Sequence, residues 1–219
     1  MANLRWFSLR DLDDWQRDSV HSMYEEAFPV WEREPFDDLV GREAAGVATP
    51  VVMVDGDQPV GLAVTSCLDS VQWSYLEYFA VVLDRRGKGL GGHLWRAMIR
   101  DLAVRDQPSR VVLDVEDPAG VPEGSPEVRL RERRIRFYER QGARLLPVRD
   151  YVVPRLDDVA GSQRALLLWA AGADDAQPPG LAELVSLLPA VYAAGYGLEA
   201  DHPLVLAAVR ASGGQTRTA

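Results

Sequence analysis

Residues 85–92 read RRGKGLGG, three cations and four glycines within eight positions, and the chain then turns abruptly into an apolar helical pattern. Bare backbone and positive charge at the mouth of a helix suit a phosphate-bearing ligand. Glycine lets the main chain come close, the first helical N–H groups lack partners within the helix, and the helix dipole favours negative charge there. Two spacings fit. Gly87, Gly89 and Gly92 spell G-x-G-x-x-G, with Asp114 about 20 residues on, where a dinucleotide-binding fold keeps its ribose-binding acid. Arg86, Gly89 and Gly91 spell R-x-x-G-x-G, a pyrophosphate turn in which Arg85, Arg86 and Lys88 supply charge, some of it for a further phosphate. The nicotinamide-binding alternative is the weaker. Asp84, Arg85 and Arg86 separate the strand from the first glycine, the preceding elements are hairpin strands, and one crossover helix does not make a two-halved crevice. A magnesium–nucleotide loop is excluded, because no Ser or Thr follows Lys88. A turn that merely solvates its charges fits poorly between a strand and a helix.

The elements that position this turn follow from periodicity. Residues 4–9 read as a strand and 12–28 as a helix, with Trp15, Val20, Met23, Tyr24 and Ala27 near helical spacing and Pro29 as its end. A short helix over 37–45 leads to Pro50. Strand-like runs follow at 51–56, 60–68 and 73–83, the first two a hairpin through DGDQP. Leu90, Leu94, Ala97, Met98 and Leu102 then mark a helix with one buried face. Residues 110–117 are a strand, 118–127 a loop, 128–141 a charged helix closed by Gly142, and 143–153 and 164–171 two further strands. From Gly172 the composition shifts. GADDAQPPG reads as a linker, Leu181, Leu184, Val185, Leu188, Val191 and Tyr192 as a helical stripe that Pro189 should kink or split, and SGGQTRTA as disordered. The expectation is an α/β domain over residues 1–171, with a parallel strand pair around the glycine turn, and a helical extension with a disordered tail over 172–219.

A chain of 219 residues suits one domain with an appendage, and 47% apolar with 26% charged residues is ordinary for a globular protein. A net charge of −9 argues against nucleic acid, whose phosphates need a basic face, and leaves room for a cationic acceptor such as an amine. No apolar run approaches the roughly 18–20 residues of a membrane span, and MANLRWFSLRDLDDW holds no signal core. Cys67, the one cysteine, has no internal disulfide partner and lies in an apolar stretch, which reads as inert packing in a reducing cytoplasm.

On two stretches the sequence resembles the GNAT acetyltransferase superfamily. YFAVVLDRRGKGLGGHLW (78–95) is similar to that family's acetyl-CoA motif of strand, pyrophosphate turn and helix. RRIRFYERQGARLL (133–146) resembles its helix ending in a tyrosine, followed by a glycine turn and a strand. With the element order, the resemblance covers residues 4–170. It implies an α/β fold of GNAT type, a mixed, splayed central sheet flanked by helices, here with a C-terminal helical extension. It also implies acetyl transfer from acetyl-CoA to a small-molecule or peptide amine by direct attack in a ternary complex, with no metal and no covalent enzyme intermediate.

Carried over residue by residue, the resemblance runs the pantetheine arm along Phe79, Ala80 and Val81, pairing as an added strand. A backbone N–H at Val81 or Val82 polarises the thioester, and Arg85, Arg86, Gly87, Lys88, Gly89, Leu90, Gly91 and Gly92 hold the pyrophosphate. Tyr138 matches the proton donor to the leaving sulfur; a phenol of pKa about 10 keeps its proton at neutral pH until the thiolate takes it. The alternative is that Phe137 and Tyr138 are core aromatics. For the base there are three carboxylates, or no single protein group. Glu77 shares a strand face with Tyr75 and Phe79, and Asp114 and Glu116 share one face of the next strand. Trp31, Glu32 and Arg33, with Glu34, lie where the family binds its acceptor. One departure stands out: Arg131 occupies the position, seven before the tyrosine, where many members carry asparagine. Arg129, Arg131, Arg133, Arg134 and Arg136 form either a solvated face or a clamp for a phosphate or carboxylate. The extension with Tyr192 and Tyr196 covers a sheet edge, closes the acceptor cleft or makes a homodimer. A runner-up of another class is an acyl-CoA-binding sensor without turnover.

Overall fold

The computed structural model describes residues 3–157, 159–172 and 177–213. They fall into two compact units, the described residues up to 67 with 76–108, and residues 68–75 with those described from 109 on. The first unit holds β1 (Leu4–Phe7), α1 (Asp14–Ala27), α2 (Phe36–Ala44), β2 (Ala48–Asp55), nearly all of β3 (Gln58–Leu68), most of β4 (Trp73–Val81) and α3 (Leu90–Val104). The second holds the start of β4, then β5 (Val111–Glu116), α4 (Pro126–Arg140), β6 (Arg144–Leu145), β7 (Val152–Pro154), β8 (Ser162–Ala170), α5 (Leu181–Tyr196) and α6 (Pro203–Gly213). Strand order in the open sheet is β1-β2-β3-β4-β5-β8-β6, with β7 pairing beside β8. Strands β1/β2, β2/β3, β5/β8, β6/β8 and β7/β8 are antiparallel.

In the first unit, Asp13 and Gln16 close a reciprocal cap at the start of α1, the Gln16 N–H donating to Asp13 Oδ1 at 2.7 Å. Val20 and Tyr24 of α1 and Leu39 of α2 pack with Val52, Leu62 and Tyr78 of the strands. Trp15, which the spacing placed with that stripe, lies on the outer face at 50% exposure.

In the second unit, Trp73, Val112, Leu167 and Trp169 pack with Leu187, Leu188, Val191 and Tyr192 of α5 and Val205 of α6. The guanidinium of Arg110 lies 4.0 Å from the Trp73 ring centre and donates to Glu183 of α5. Helix α4 starts at Pro126, two residues before the expected start, because Ser125 accepts from the Glu127 N–H and proline tolerates the first helical position.

Three sequence expectations need correction. The run 143–153 is two short strands, interrupted where Pro147 lacks a donor and Asp150 takes a positive φ of 52°. Of the two outcomes expected at Pro189, a kink or a split, the split does not occur in α5. A proline inside a helix costs about 3 kcal/mol, but Leu184, Leu187, Leu188, Val191 and Tyr192 are all buried, each worth roughly 1.5–3 kcal/mol, and burial wins. Of SGGQTRTA, Ser212 and Gly213 belong to α6, Ser212 donating to the Ala208 carbonyl at 2.9 Å. Residues 214–219, and 173–176 of the expected linker, lie outside the described residues. Among the described residues no helix is long and apolar enough to cross a membrane.

Candidate active site

The glycine turn forms as its composition suggests. After β4, a 3-10 turn at Leu83–Arg85 leads to Gly87 at φ 76° and Gly89 at φ 83°, left-handed conformations that side chains disfavour. A Cβ on either would meet nothing within 4 Å, so the turn is open on that side. Gly89 caps α3 with no side-chain hydrogen bond. The Gly92 and His93 N–H groups turn back to the Gly89 carbonyl at 3.1 and 3.4 Å. Among the described residues, the N–H groups of Gly87, Lys88, Gly89, Leu90 and Gly91 have no protein acceptor. That leaves Gly92 outside the set of open amides. The cations brace the turn: Arg86 Nε donates to the Val81 carbonyl at 2.8 Å, Arg85 pairs with Asp55 at 3.3 Å, and Lys88 reaches the Asp84 carbonyl at 3.0 Å. The turn is thus a preformed row of donors with the Arg85, Arg86 and Lys88 side chains braced beside it, chemistry suited to a pyrophosphate.

On β4, Phe79 packs edge-on against Trp95 of α3, and Ala80 is buried. The Val82 N–H donates to the Val60 carbonyl at 3.1 Å and is not available to a thioester. Alternate amides of a strand point to opposite edges, so the Val81 N–H faces away from β3.

Glu77, the first of the three carboxylates, is held on both oxygens. Arg42 of α2 grips it at 2.6 and 2.7 Å, and Ser66 of β3 donates to the same group. Arg42 also pairs with Glu34 at 2.6 Å, which reinforces its charge; burial raises the pKa of Glu34, and Arg42 opposes the rise. The segment 28–36 is pinned as well. Tyr24 Oη donates to the Glu34 carbonyl and the Glu34 N–H to Tyr78 Oη, each at 3.1 Å. Burial pushes the Tyr78 phenol up to about 12. Arg33 is spent on the Phe28 carbonyl at 2.9 Å and on Glu25 at 2.8 Å, so it staples α1 instead of reaching outward. Trp31 and Glu32 lie on a 3-10 turn, Trp31 exposed.

The second unit gathers the other expected groups. Asp114, Glu116 and Tyr138 lie close enough that both carboxylates raise the phenol's pKa. Burial is the larger cause of that rise, and the charge of Arg134 works against it. Arg134 donates to Glu116, so this carboxylate, like Glu77, is tied to a guanidinium. Asp114 is different. Three phenols donate to its Oδ2: Tyr196 at 2.6 Å, Tyr151 at 3.1 Å and Tyr75 at 3.3 Å. Among the described residues Oδ1 takes no donor, and the residue as a whole is half-buried. Burial raises the Asp114 pKa, the three phenols oppose it in that order, and Glu116 adds to it. Asp114 stands opposite Leu167 and Glu116 opposite Ala165 in the β5/β8 register, which puts both on one face.

Arg131 is buried, donating to the Asp117 carbonyl at 2.9 Å and to Glu127 at 3.3 Å, where it holds the loop before α4. Arg129, Arg133 and Arg136 face solvent, with Arg136 on Glu132 at 3.4 Å. The sequence reading missed Arg42 and Ser66 as partners of Glu77. It also missed Tyr75, Tyr151 and Tyr196 as partners of Asp114. Those contacts join positions 11–82 apart, and no local spacing announces them.

The family model for the Acetyltransferase (GNAT) family matches residues 17–143. Comparison with curated proteins returned no match. Among solved structures, the fold is similar to a protein from Bacteroides thetaiotaomicron assigned to the GNAT family, with a TM-score of 0.67 and 21% identity, covering 90% of this chain and 99% of that one. It is similar to an aminoglycoside 6'-N-acetyltransferase complexed with coenzyme A, with a TM-score of 0.59 and 16% identity over 80% and 99% of the two chains. The ribosomal-protein-S18-alanine N-acetyltransferase of Escherichia coli aligns with a TM-score of 0.52 and 16% identity over 81% and 99%. At these identities the likeness shows the fold alone.

Proposed function

The chain belongs to the Acetyltransferase (GNAT) family, and from that premise we propose that it moves an acetyl group from acetyl-CoA to the amino group of a small molecule or peptide, with both substrates bound together. The observation that carries this reading is the open row of N–H groups from Gly87 to Gly91 at the head of α3. A likeness to an enzyme complexed with coenzyme A, and to one named for acetylating an alanine, supports the donor and the amine acceptor. The family match speaks against the nicotinamide alternative.

In this reading the turn's amides, with Arg85, Arg86 and Lys88, hold the pyrophosphate, and Phe79, Ala80 and Val81 lie along the pantetheine arm. The Val81 N–H polarises the thioester carbonyl. Asp114 is the base, because Glu77 and Glu116 are each paired with an arginine while Asp114 meets only neutral phenols and keeps Oδ1 without a donor. Asp114 takes one proton from the amine as nitrogen bonds to the acyl carbon; the carbon–sulfur bond breaks and Tyr138 gives one proton to sulfur. The products are an amide and a free thiol. Trp31 and Glu32 contact the acceptor.

The test is thiol release from acetyl-CoA across a library of amines, repeated with Asp114→Asn and Glu77→Gln. Amine-dependent release, reduced about 10²-fold or more by Asp114→Asn and far less by Glu77→Gln, is expected. Saturable acetyl-CoA binding with no amine-dependent release would leave a binding protein instead.

A further inference from the structure

The C-terminal extension places a phenol on the carboxylate read above as the base. Tyr196, in the last turn of α5, makes the shortest of the three bonds to Asp114 Oδ2, at 2.6 Å. Its position is fixed from several sides. Next to it, Gly195 lies so near β4 that a Cβ there would stand 2.7 Å from Tyr75 Oη. One turn back, Tyr192 Oη donates to the Val152 carbonyl at 2.8 Å, and at the other end of the helix Glu183 pairs with Arg110. All three phenols choose the same oxygen, so the remaining capacity of Asp114 to accept a proton lies on Oδ1.

We propose that Tyr196 is a positioning residue for acyl transfer: it holds Asp114 Oδ2 so that Oδ1 receives the proton of the acceptor amine. The inference rests on the reading of Asp114 as base. It makes residues 181–196, outside the stretch that the family model matches, a working part of the site.

Titratable groups surround Asp114 from several elements, among them Tyr138 of α4 and Tyr192 of α5. β4 supplies Tyr75, the segment before β7 supplies Tyr151, and α5 supplies Tyr196. Glu116 of β5 adds negative charge, itself paired with Arg134 of α4. Burial favours the neutral acid, and the Tyr196 phenol is the largest influence in favour of the carboxylate. The base works only when ionised. Loss of the Tyr196 hydroxyl therefore moves the acid limb of kcat/KM to higher pH. A purely structural role would lower the rate at every pH and leave the limb in place.

The experiment uses the full chain, with acetyl-CoA and the best amine from the screen. The pH profile of kcat/KM is measured for the wild type and Tyr196→Phe. In parallel, carboxyl carbons of 13C-labelled Asp are titrated by NMR, with Asp114 assigned from Asp114→Asn. Tyr196→Phe is expected to lose roughly tenfold on the acid limb, stay within about twofold on the alkaline plateau, and move the Asp114 titration upward. 3-Fluorotyrosine at position 196 preserves the side chain's shape and strengthens the donor, so it serves where Tyr196→Phe does not fold. It is expected to move the limb to lower pH. A limb unmoved by both, while Asp114→Asn inactivates, overturns the role of Tyr196 and leaves the base assigned. A full rate in Asp114→Asn overturns the base, and the role of Tyr196 with it.

Discussion

The Tyr138 phenol is buried beside Arg134, Glu116 and Asp114, and burial keeps it protonated beyond the ordinary phenol range. The shift that secures the proton also makes the phenol a weaker acid, so the opposing charge of Arg134 would matter to the proposed proton transfer. Tyr138→Phe is expected to lower kcat by about 10²-fold or more with acetyl-CoA affinity nearly unchanged, as read from steady-state rates and fluorescence titration. Because the wild-type phenol does not ionise near neutrality, that loss should be constant from pH 6 to 9. A loss that disappears toward one end of the range would point to another proton donor. The choice among carboxylates belongs to this scale too. Strand alternation assigns Glu77, Asp114 and Glu116 to faces, but only their partners decide which are paired with a guanidinium and which meets phenols alone. Those partners, Arg42, Arg134 and three tyrosines, come from other elements.

Among the elements, α3 was the most legible and α5 the least. The glycines before α3 and its apolar spacing are local facts, and they specify a turn, a helix start and a buried face at once. For α5, propensity and packing disagree. Proline argues for a break, and buried side chains on both sides of it keep one helix. Gly195 shows the same competition at closer range. Alanine in its place would gain roughly 0.5–1 kcal/mol of helix propensity, but its Cβ would stand 2.7 Å from Tyr75 Oη and 2.8 Å from a ring carbon. Overpacking of that kind costs about 1–3 kcal/mol, so the clash wins. Gly195→Ala should lower the midpoint of urea unfolding and weaken the Tyr75–Asp114 bond; an unchanged or higher midpoint would show that α5 shifts to make room.

For the whole molecule, the position of the extension matters most. A boundary at residue 171 would leave Val112, Leu167 and Trp169 without Leu187, Leu188, Val191 and Tyr192, their neighbours in the second core. At roughly 1.5–3 kcal/mol for each large side chain, that loss rivals the 5–15 kcal/mol stability of an ordinary domain. A chain ending at residue 172 should therefore be insoluble or bind hydrophobic dye strongly, as gel filtration and dye fluorescence would report; a compact, soluble product would show that the extension is dispensable. The amino-acid sequence by itself determined the order of elements as far as α4, the glycine turn, the family and the phenol on α4. Each of those depends on residues near one another along the chain, where helical and strand periods and left-handed glycines act. Tertiary structure alone decided that Arg42 occupies Glu77, that Val60 takes the Val82 amide, and that Tyr196 reaches Asp114 from 82 positions away. Hydrogen-bond partners brought together by packing leave no periodic trace in the chain, because burial selects them by proximity in space.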